Sequence, residues 1–242
     1  MRFSTESAPR DGPERSEQVK QIFSEIAPRY DLLNHLLSLN IDRAWRRLAV
    51  DRLDWEAEPS GIFLDACTGT FDLALELSSR PDFCGRVLAA DFAFPMLAQG
   101  KVKVSAEPIW PVCGDSLMLP FPDKSFDGAM VGFGVRNLSD LERGLRDLHR
   151  IIKKDKLLVV LDFTLPHNPV VRMAYLLYFR HVLPFVGRMI SRHPWAYRYL
   201  PESVGTFPPP RELSALFNKV GFKEVGWTLL TGGIAAIHWG RA

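Results

Sequence analysis

The residues of this 242-residue chain best suited to chemistry are acids and hydroxyls that follow short apolar runs. Ile62-Phe63-Leu64-Asp65-Ala66 leads into the small turn Cys67-Thr68-Gly69-Thr70-Phe71, and Asp72, which suits a helix N-cap, opens the pattern LALELSSR. A second apolar run ends in Asp91, and a third is followed by Gly114-Asp115-Ser116. A fourth leads into Gly132-Phe133-Gly134-Val135-Arg136-Asn137. In an open α/β sheet, loops at the carboxyl ends of the strands meet at one edge, and ligands bind there. Turn N–H groups and a helix N-terminus can receive a polar ligand edge. An acid at the tip of the second strand can accept from both hydroxyls of a ribose. Taken singly, each Asp reads as a cap or turn residue. Four polar loops together read as a nucleoside site.

The turn itself separates two cofactor classes. A dinucleotide needs G-x-G-x-x-G, so that backbone amides cradle a pyrophosphate. Here Gly69 stands without a second glycine at that spacing, and Asp65 would repel a phosphate while pairing with an ammonium group. These residues favour S-adenosylmethionine. Phe71 is large for a turn that must hug a ligand. Either its ring fills the ligand pocket or it swings aside under the helix. The expectation is that it obstructs, so that Phe71→Gly strengthens cofactor binding.

The elements that must position these loops follow from periodicity. Strands are predicted at Ile62–Ala66, Arg86–Asp91, Ile109–Cys113, Phe126–Phe133 and Leu157–Phe163, with helices at Leu73–Ser79, Pro95–Val104 and Asp140–Ile152 between them. Before them, Val19, Ile22, Phe23 and Ile26, then Leu32, Leu33, Leu36 and Leu37, recur at helical spacing. Pro28 predicts two helices joined near Ala27–Arg29. After them, 166–200 is dense in aromatics and Arg, broken by Pro184. A helix over Glu212–Val220, stopped by Gly221, precedes strands near Phe222–Leu229 and Ile234–Gly240. Thr231-Gly232-Gly233 between those strands makes them a hairpin. The fold class is therefore α/β: a seven-stranded, mostly parallel sheet with helices on both faces and a C-terminal antiparallel hairpin strand.

Apolar residues at 47% allow a substantial core, and a net charge of +2 is too small to argue for nucleic acid. Cys67, Cys84 and Cys113 lack metal or redox spacing and read as reduced thiols, and no metal site is expected. Residues 1–16 have no apolar core and read as a mobile tail rather than a signal peptide. No apolar run is long enough to span a membrane, so the expected location is the cytoplasm.

The phrases APRYDLLNHLLSLNIDRAWR (27–46), LDACTGTFD (64–72), ADFAFPMLAQGKVK (90–103), GDSLMLPFPDKSFD (114–127) and FGVRN (133–137) carry a family resemblance. So do LDFTLP (161–166), YRYLPESV (197–204) and TGGIAAIHWG (231–240). From about Gln18 to Arg241 the chain resembles the menaquinone/ubiquinone biosynthesis C-methyltransferases, a class I, Rossmann-like, S-adenosylmethionine-dependent group. The resemblance implies one methyltransferase domain over 17–242. Its parts are N-terminal helices (17–58), a cofactor core (62–163), a substrate lid (166–205) and a C-terminal helix and hairpin (206–242). It implies methyl transfer to a ring carbon of a prenylated quinol, demethylmenaquinol first and the ubiquinone-pathway quinol as its neighbour. It sets Gly69 and Thr70 against the methionine part of the cofactor with Asp65 beneath. Asp91, with Phe92 beside it, takes the ribose, and Asp115 and Ser116 sit at the adenine. Arg136 becomes the proton-handling group, acting through water, with Asn137 and Asp115 supporting the quinol hydroxyl and Tyr30 closing the pocket. The plain alternatives are a surface ion pair for Arg136 and a packing role for Tyr30.

Tyr175, Tyr178, Phe179, Phe185, Trp195, Tyr197 and Tyr199 in 166–200 could line a slot for ring and prenyl chain. Arg172, Arg180, Arg188 and Arg192 could instead face anionic lipid at the inner membrane surface. A homodimer is an open alternative. Phe71 departs from the family's glycine and Gly132 from a small polar residue, while Lys153-Lys154-Asp155-Lys156 replaces Pro-Gly-Gly. Two further readings therefore stand beside the first. One is a methyltransferase-fold protein with impaired or no activity, kept as a scaffold or partner protein, and the other a methyltransferase for another small aromatic.

Overall fold

The computed structural model describes residues 13–104, 108–178 and 196–242. Seven strands form one sheet: β1 (Ile62–Ala66), β2 (Arg86–Asp91), β3 (Ile109–Cys113), β4 (Gly128–Gly132), β5 (Leu157–Phe163), β6 (Lys223–Leu230) and β7 (Ala235–Arg241), in the order β3-β2-β1-β4-β5-β7-β6. The first five are parallel, and β7 runs antiparallel between β5 and β6. The reversal at β1, where the chain crosses from β3 to β4, is the switch point at which such sheets open a ligand crevice.

Period-two alternation decides which helices cover which face. Phe63 of β1 and Leu157, Val159 and Leu161 of β5 join a core with α3 (Ile41–Asp51) and α4 (Asp72–Ser78), through Trp45, Ala49, Leu73 and Leu77. Leu64, Leu158 and Val160 point the other way, against α6 (Leu141–Ile151) and α9 (Pro210–Val220), through Leu145, Leu148, Leu213 and Phe217. The Asp140 side chain caps α6 by accepting from the N–H of Arg143 at 2.9 Å. Gly221, at φ +120°, ends α9. The two faces leave the strand tips uncovered.

Register lines those tips up. Ala66 pairs with Ala90 and Val131, and Asp91 with Cys113, so the loops after β1, β2, β3 and β4 leave from one edge. Over that edge lie α1 (Pro13–Ile26), a 3-10 turn at Ala27–Arg29, α2 (Tyr30–Leu37) and α5 (Phe94–Lys103). Ala27, Ala93 and Met96, with Phe23, Tyr30 and Phe92 against them, form a third small apolar cluster there.

Three boundaries differ from the sequence reading. Leu39 and Asn40 take left-handed φ of 53° and 61°, which splits the N-terminal pattern into three helices rather than two. Helix α1 starts at Pro13, inside the segment read as a tail. β4 begins at Gly128, because Phe126 makes only an isolated bridge to Ile152. In the segment expected to be a lid, α7 (Pro169–Leu177) and α8 (Ala196–Thr206) are described. The expectations for Phe179, Arg180, Pro184, Phe185, Arg188, Arg192 and Trp195 fall outside the described residues. Among the described residues no helix is long and apolar enough to cross a membrane.

Candidate active site

The turn after β1 is built from alternating left-handed residues: Cys67 at φ 50°, Gly69 at 57° and Phe71 at 72°. At Gly69 the left-handed φ favours glycine, and the Met96 and Tyr30 side chains stand close over it. A Cβ there would lie 3.3 Å from Met96 Cε and 3.7 Å from Tyr30 Cε1. The backbone is tied down by Thr68 N–H to Ala90 O at 3.0 Å and Phe71 N–H to Thr68 O at 3.1 Å. Gly69 N–H donates to Asp91 Oδ2 at 2.9 Å, and the other Asp91 oxygen accepts from Ala93 N–H at 2.8 Å. Asp91 is therefore aimed by its neighbours before any ligand arrives, and each oxygen retains a lone pair.

Asp65 sits beneath this turn. Its Oδ2 accepts from Thr68 Oγ1 at 2.5 Å and Ala74 N–H at 3.1 Å, while Oδ1 is buried with no hydrogen-bond partner among the described residues. Burial pushes the Asp65 carboxyl up to about 7, and burial likewise pushes Asp91 up to about 6. An orphaned buried carboxylate oxygen is costly unless a donor or cation joins it.

Tyr30, Gly69, Asp91, Phe92, Asp115, Ser116 and Asn137 line one open cavity. Its described lining includes the acids Asp91 and Asp115 and no Lys or Arg. A pyrophosphate would meet two carboxylates there and no cation. A neutral or cationic nucleoside fits the donor set, and Asp65 below the turn suits an ammonium group.

Asp65, Thr70 and Arg136 do not line the cavity. Thr70, expected against the methionine part of the cofactor, turns its hydroxyl away to donate to Asp31 of α2. Asp72 is not the N-cap of α4, since Phe71 holds that position. The Asp72 carboxylate instead pairs with Lys103 at 2.7 Å and Arg46 at 3.1 Å. Phe71 does not enter the cavity either. Its ring is fully buried against Gly100 of α5, which corrects the expectation that it obstructs the cofactor.

Arg136 is no surface ion pair. It is 7% exposed, and its Nη1 donates to Asp162 Oδ1 at 2.8 Å and to the Phe133 carbonyl. Its Nε finds no partner among the described residues, and the guanidinium lies 5.4 Å from the Phe163 ring centroid. Burial opposes the charge, but Asp162 and the phenols of Tyr30 and Tyr199 hold its pKa above the ordinary value. For Asp162 burial outweighs Arg136, and its pKa is raised. Burial raises the Tyr30 phenol too, against a hydrogen bond with Asn34 and the field of Arg136.

Asn137, the next residue, does reach the cavity. Its Nδ2 donates to Phe133 O at 3.3 Å, and its Oδ1 accepts from Tyr199 Oη of α8 at 2.8 Å. Gly134 lets this loop lie on the turn after β1, because a Cβ there would fall 2.4 Å from Cys67 Cβ. At Gly132 the nearest atom to a Cβ position is Leu73 Cδ1 at 2.8 Å, so a side chain there would make the Leu73 side chain shift.

The sequence reading gave no site role to Asp162, to the Tyr199–Asn137 bond, or to Cys67, whose Sγ lies 3.2 Å from Ser116 Oγ. Asp162 had a signal: like Asp65 and Asp91, it is an acid at the carboxyl end of a strand. Arg15 and Ser16, read as tail, donate to Arg136 O and Ser139 Oγ, both at 2.9 Å.

Known proteins resemble this chain in sequence and in fold. The model of the ubiE/COQ5 methyltransferase family matches residues 13–242. A demethylmenaquinone methyltransferase of Thermus thermophilus is 49% identical over 221 residues, 90% of this chain and 99% of its own length. A ubiquinone/menaquinone biosynthesis C-methyltransferase UbiE of Citrifermentans bemidjiense is 42% identical, over 94% of this chain and 97% of its own. Among solved structures, a SAM-dependent methyltransferase of Thermotoga maritima superposes with a TM-score of 0.62 at 19% identity. It covers 92% of this chain and 99% of its own, a likeness of fold.

Proposed function

The chain belongs to the ubiE/COQ5 methyltransferase family, and from that membership we propose that it methylates a ring carbon of a reduced, prenylated quinol, demethylmenaquinol to menaquinol. It is an S-adenosylmethionine-dependent methyltransferase of quinone biosynthesis. The observation that carries the site assignment is that one acid-lined cavity joins Gly69 and Asp91 to Asn137 of the FGVRN loop.

When bound, S-adenosylmethionine supplies an electrophilic methyl group on a sulfonium. The chain's part is binding and orientation. Asp91 accepts from the ribose hydroxyls, Asp115 and Ser116 border the adenine, Gly69 permits close approach, and Asp65 Oδ1 offers a negative charge beneath the ammonium. Asn137, fixed by Tyr199, holds the quinol hydroxyl, and Tyr30 shields the reacting atoms from water. A ring carbon next to a phenolate is the better nucleophile, and a phenol of pKa near ~10 loses its proton more easily beside a cation. Arg136 supplies that cation from behind the cavity wall, moderated by Asp162. Its basicity rules it out as proton acceptor, so the phenolic proton leaves to water. Holding donor and acceptor in line supplies the remaining acceleration.

The lid contributes Tyr175, which is buried, and Tyr199, which is half-buried. On the outside of α7, Val170, Met173 and Leu177 are 69%, 60% and 51% exposed at one-face helical spacing, with Arg172 beside them. That face supports peripheral contact with a lipid surface, where a prenylated substrate resides. The impaired-activity reading loses its only support once Phe71 lies outside the cavity. Competition between a prenylated naphthoquinol and a prenylated benzoquinol for a limiting methyl donor tests the ring assignment. The naphthoquinol should be methylated preferentially, and preference for the benzoquinol would move the enzyme to the ubiquinone branch.

A further inference from the structure

The helices that roof the cavity are fastened to the cofactor turn by a line of charges that touches no ligand position. Asp31 of α2 accepts from Thr70 Oγ1 of the turn and from Lys103 Nζ at 2.9 Å. Lys103, the last residue of α5, also donates to Asp72 Oδ1, the first residue of α4, at 2.7 Å. One ammonium thus ties α2, α5 and the start of α4 together. Neither Asp31 nor Lys103 lines the cavity, but Tyr30, the residue before Asp31, does. Tyr30 Cε1 stands 3.7 Å from the Cβ position of Gly69. Its ring leans on Phe23 of α1, at 5.9 Å between centroids. Fixing the Asp31 carboxylate therefore fixes both the Thr70 hydroxyl and the ring that covers Gly69.

We infer that Asp31 and Lys103 are positioning residues that latch α2 over the turn and set the rate at which S-adenosylmethionine leaves. The side chains of the pair are 33% and 28% exposed, so water screens them and either alone holds little. The bridge to a second carboxylate and the Thr70 bond make a latch that holds yet opens. Its ionic part weakens with salt. The inference rests on the cofactor assignment and is independent of the quinol.

The test uses Lys103→Met and Asp31→Asn, with Lys101→Met, an exposed lysine on the same helix, as control. Cofactor dissociation is measured by stopped flow against ionic strength, and amide exchange by mass spectrometry. The expected result is dissociation about tenfold faster in Lys103→Met and Asp31→Asn, equivalent to ~1.4 kcal/mol. Amides of 13–37 should exchange faster in both, and Lys103→Arg should restore the parent rate. The parent's release should quicken with salt, and that of Lys103→Met should not. An unchanged dissociation rate in Lys103→Met overturns the inference. So does faster exchange spread equally over β1 to β5, which would mean general destabilisation. A parent that binds no S-adenosylmethionine overturns the cofactor assignment and this inference with it.

Discussion

The Phe71 ring lies against the backbone of Gly100, so close that a Cβ on that glycine would meet ring carbons at 2.7 Å. The two positions compensate each other. Phe71 holds a left-handed φ of 72°, which costs a side chain ~1–2 kcal/mol relative to glycine. Burying the phenyl between α4 and α5 returns more than that, and Gly100 makes the room.

Phe71→Gly should therefore weaken the fold without tightening cofactor binding. Loss of a buried phenyl costs ~3–5 kcal/mol, and relief of the left-handed strain returns ~1–2. Thermal unfolding should show a lower Tm. Gly100→Ala should cost ~1–3 kcal/mol by overpacking. A variant at 71 with undiminished Tm would mean that the ring is not packed under α5.

Burial raises both Asp65 and Asp91, so the sign of their pH dependence is fixed. A carboxyl whose folded pKa is raised favours the fold most below its unfolded value and loses that contribution as pH rises through the folded one. For Asp65 the rise from 3.8 to about 7 amounts to roughly 4 kcal/mol at ~1.4 kcal/mol per unit. Asp65→Asn should gain stability relative to the parent as pH climbs from 4 to about 7, read by urea melts at each pH. Cofactor affinity of the parent should fall as pH drops through about 6, where Asp91 protonates. A pH-independent calorimetric Kd between pH 5 and 8 would remove Asp91 as the ribose acceptor.

The strands were legible because parallel strands buried on both faces leave near-continuous apolar runs, as in Leu157–Phe163. The strand-end acids were legible because position alone gives them meaning. Three things were hidden for a physical reason. The left-handed pair Leu39–Asn40 breaks the N-terminal helices with no Gly or Pro to mark it. The Thr70 hydroxyl faces Asp31 because α2 folds back over the turn, a contact across 39 positions. The burial of Arg136 depends on Asp162, 26 positions away on a neighbouring strand. Sequence periodicity carries no information on such pairings.

Removing one partner of the Arg136–Asp162 pair strands a buried charge, which typically costs ~3–5 kcal/mol. Arg136→Met and Asp162→Asn should each lower stability by that order in guanidinium melts. A double replacement with apolar residues should cost less than either single change. Equal, additive losses would place the two groups in separate, solvated surroundings.

Tyr199→Phe removes the hydroxyl that orients the Asn137 amide. Such a bond is worth ~0.5–1.5 kcal/mol, so turnover should fall about three- to tenfold. Calorimetric affinity for S-adenosylmethionine should stay as in the parent if Asn137 holds the quinol, as proposed. Loss of cofactor affinity with unchanged turnover would assign Asn137 to the cofactor instead.

The proposed reaction is carbon methylation of a reduced prenylated naphthoquinol. Incubation with methyl-labelled S-adenosylmethionine, followed by mass spectrometry and NMR of the extracted product, tests it directly. One labelled methyl group is expected on a ring carbon, and much less of it with Asn137→Ala. No labelled quinone from a folded, cofactor-binding protein, or a methyl group found on oxygen, would contradict it.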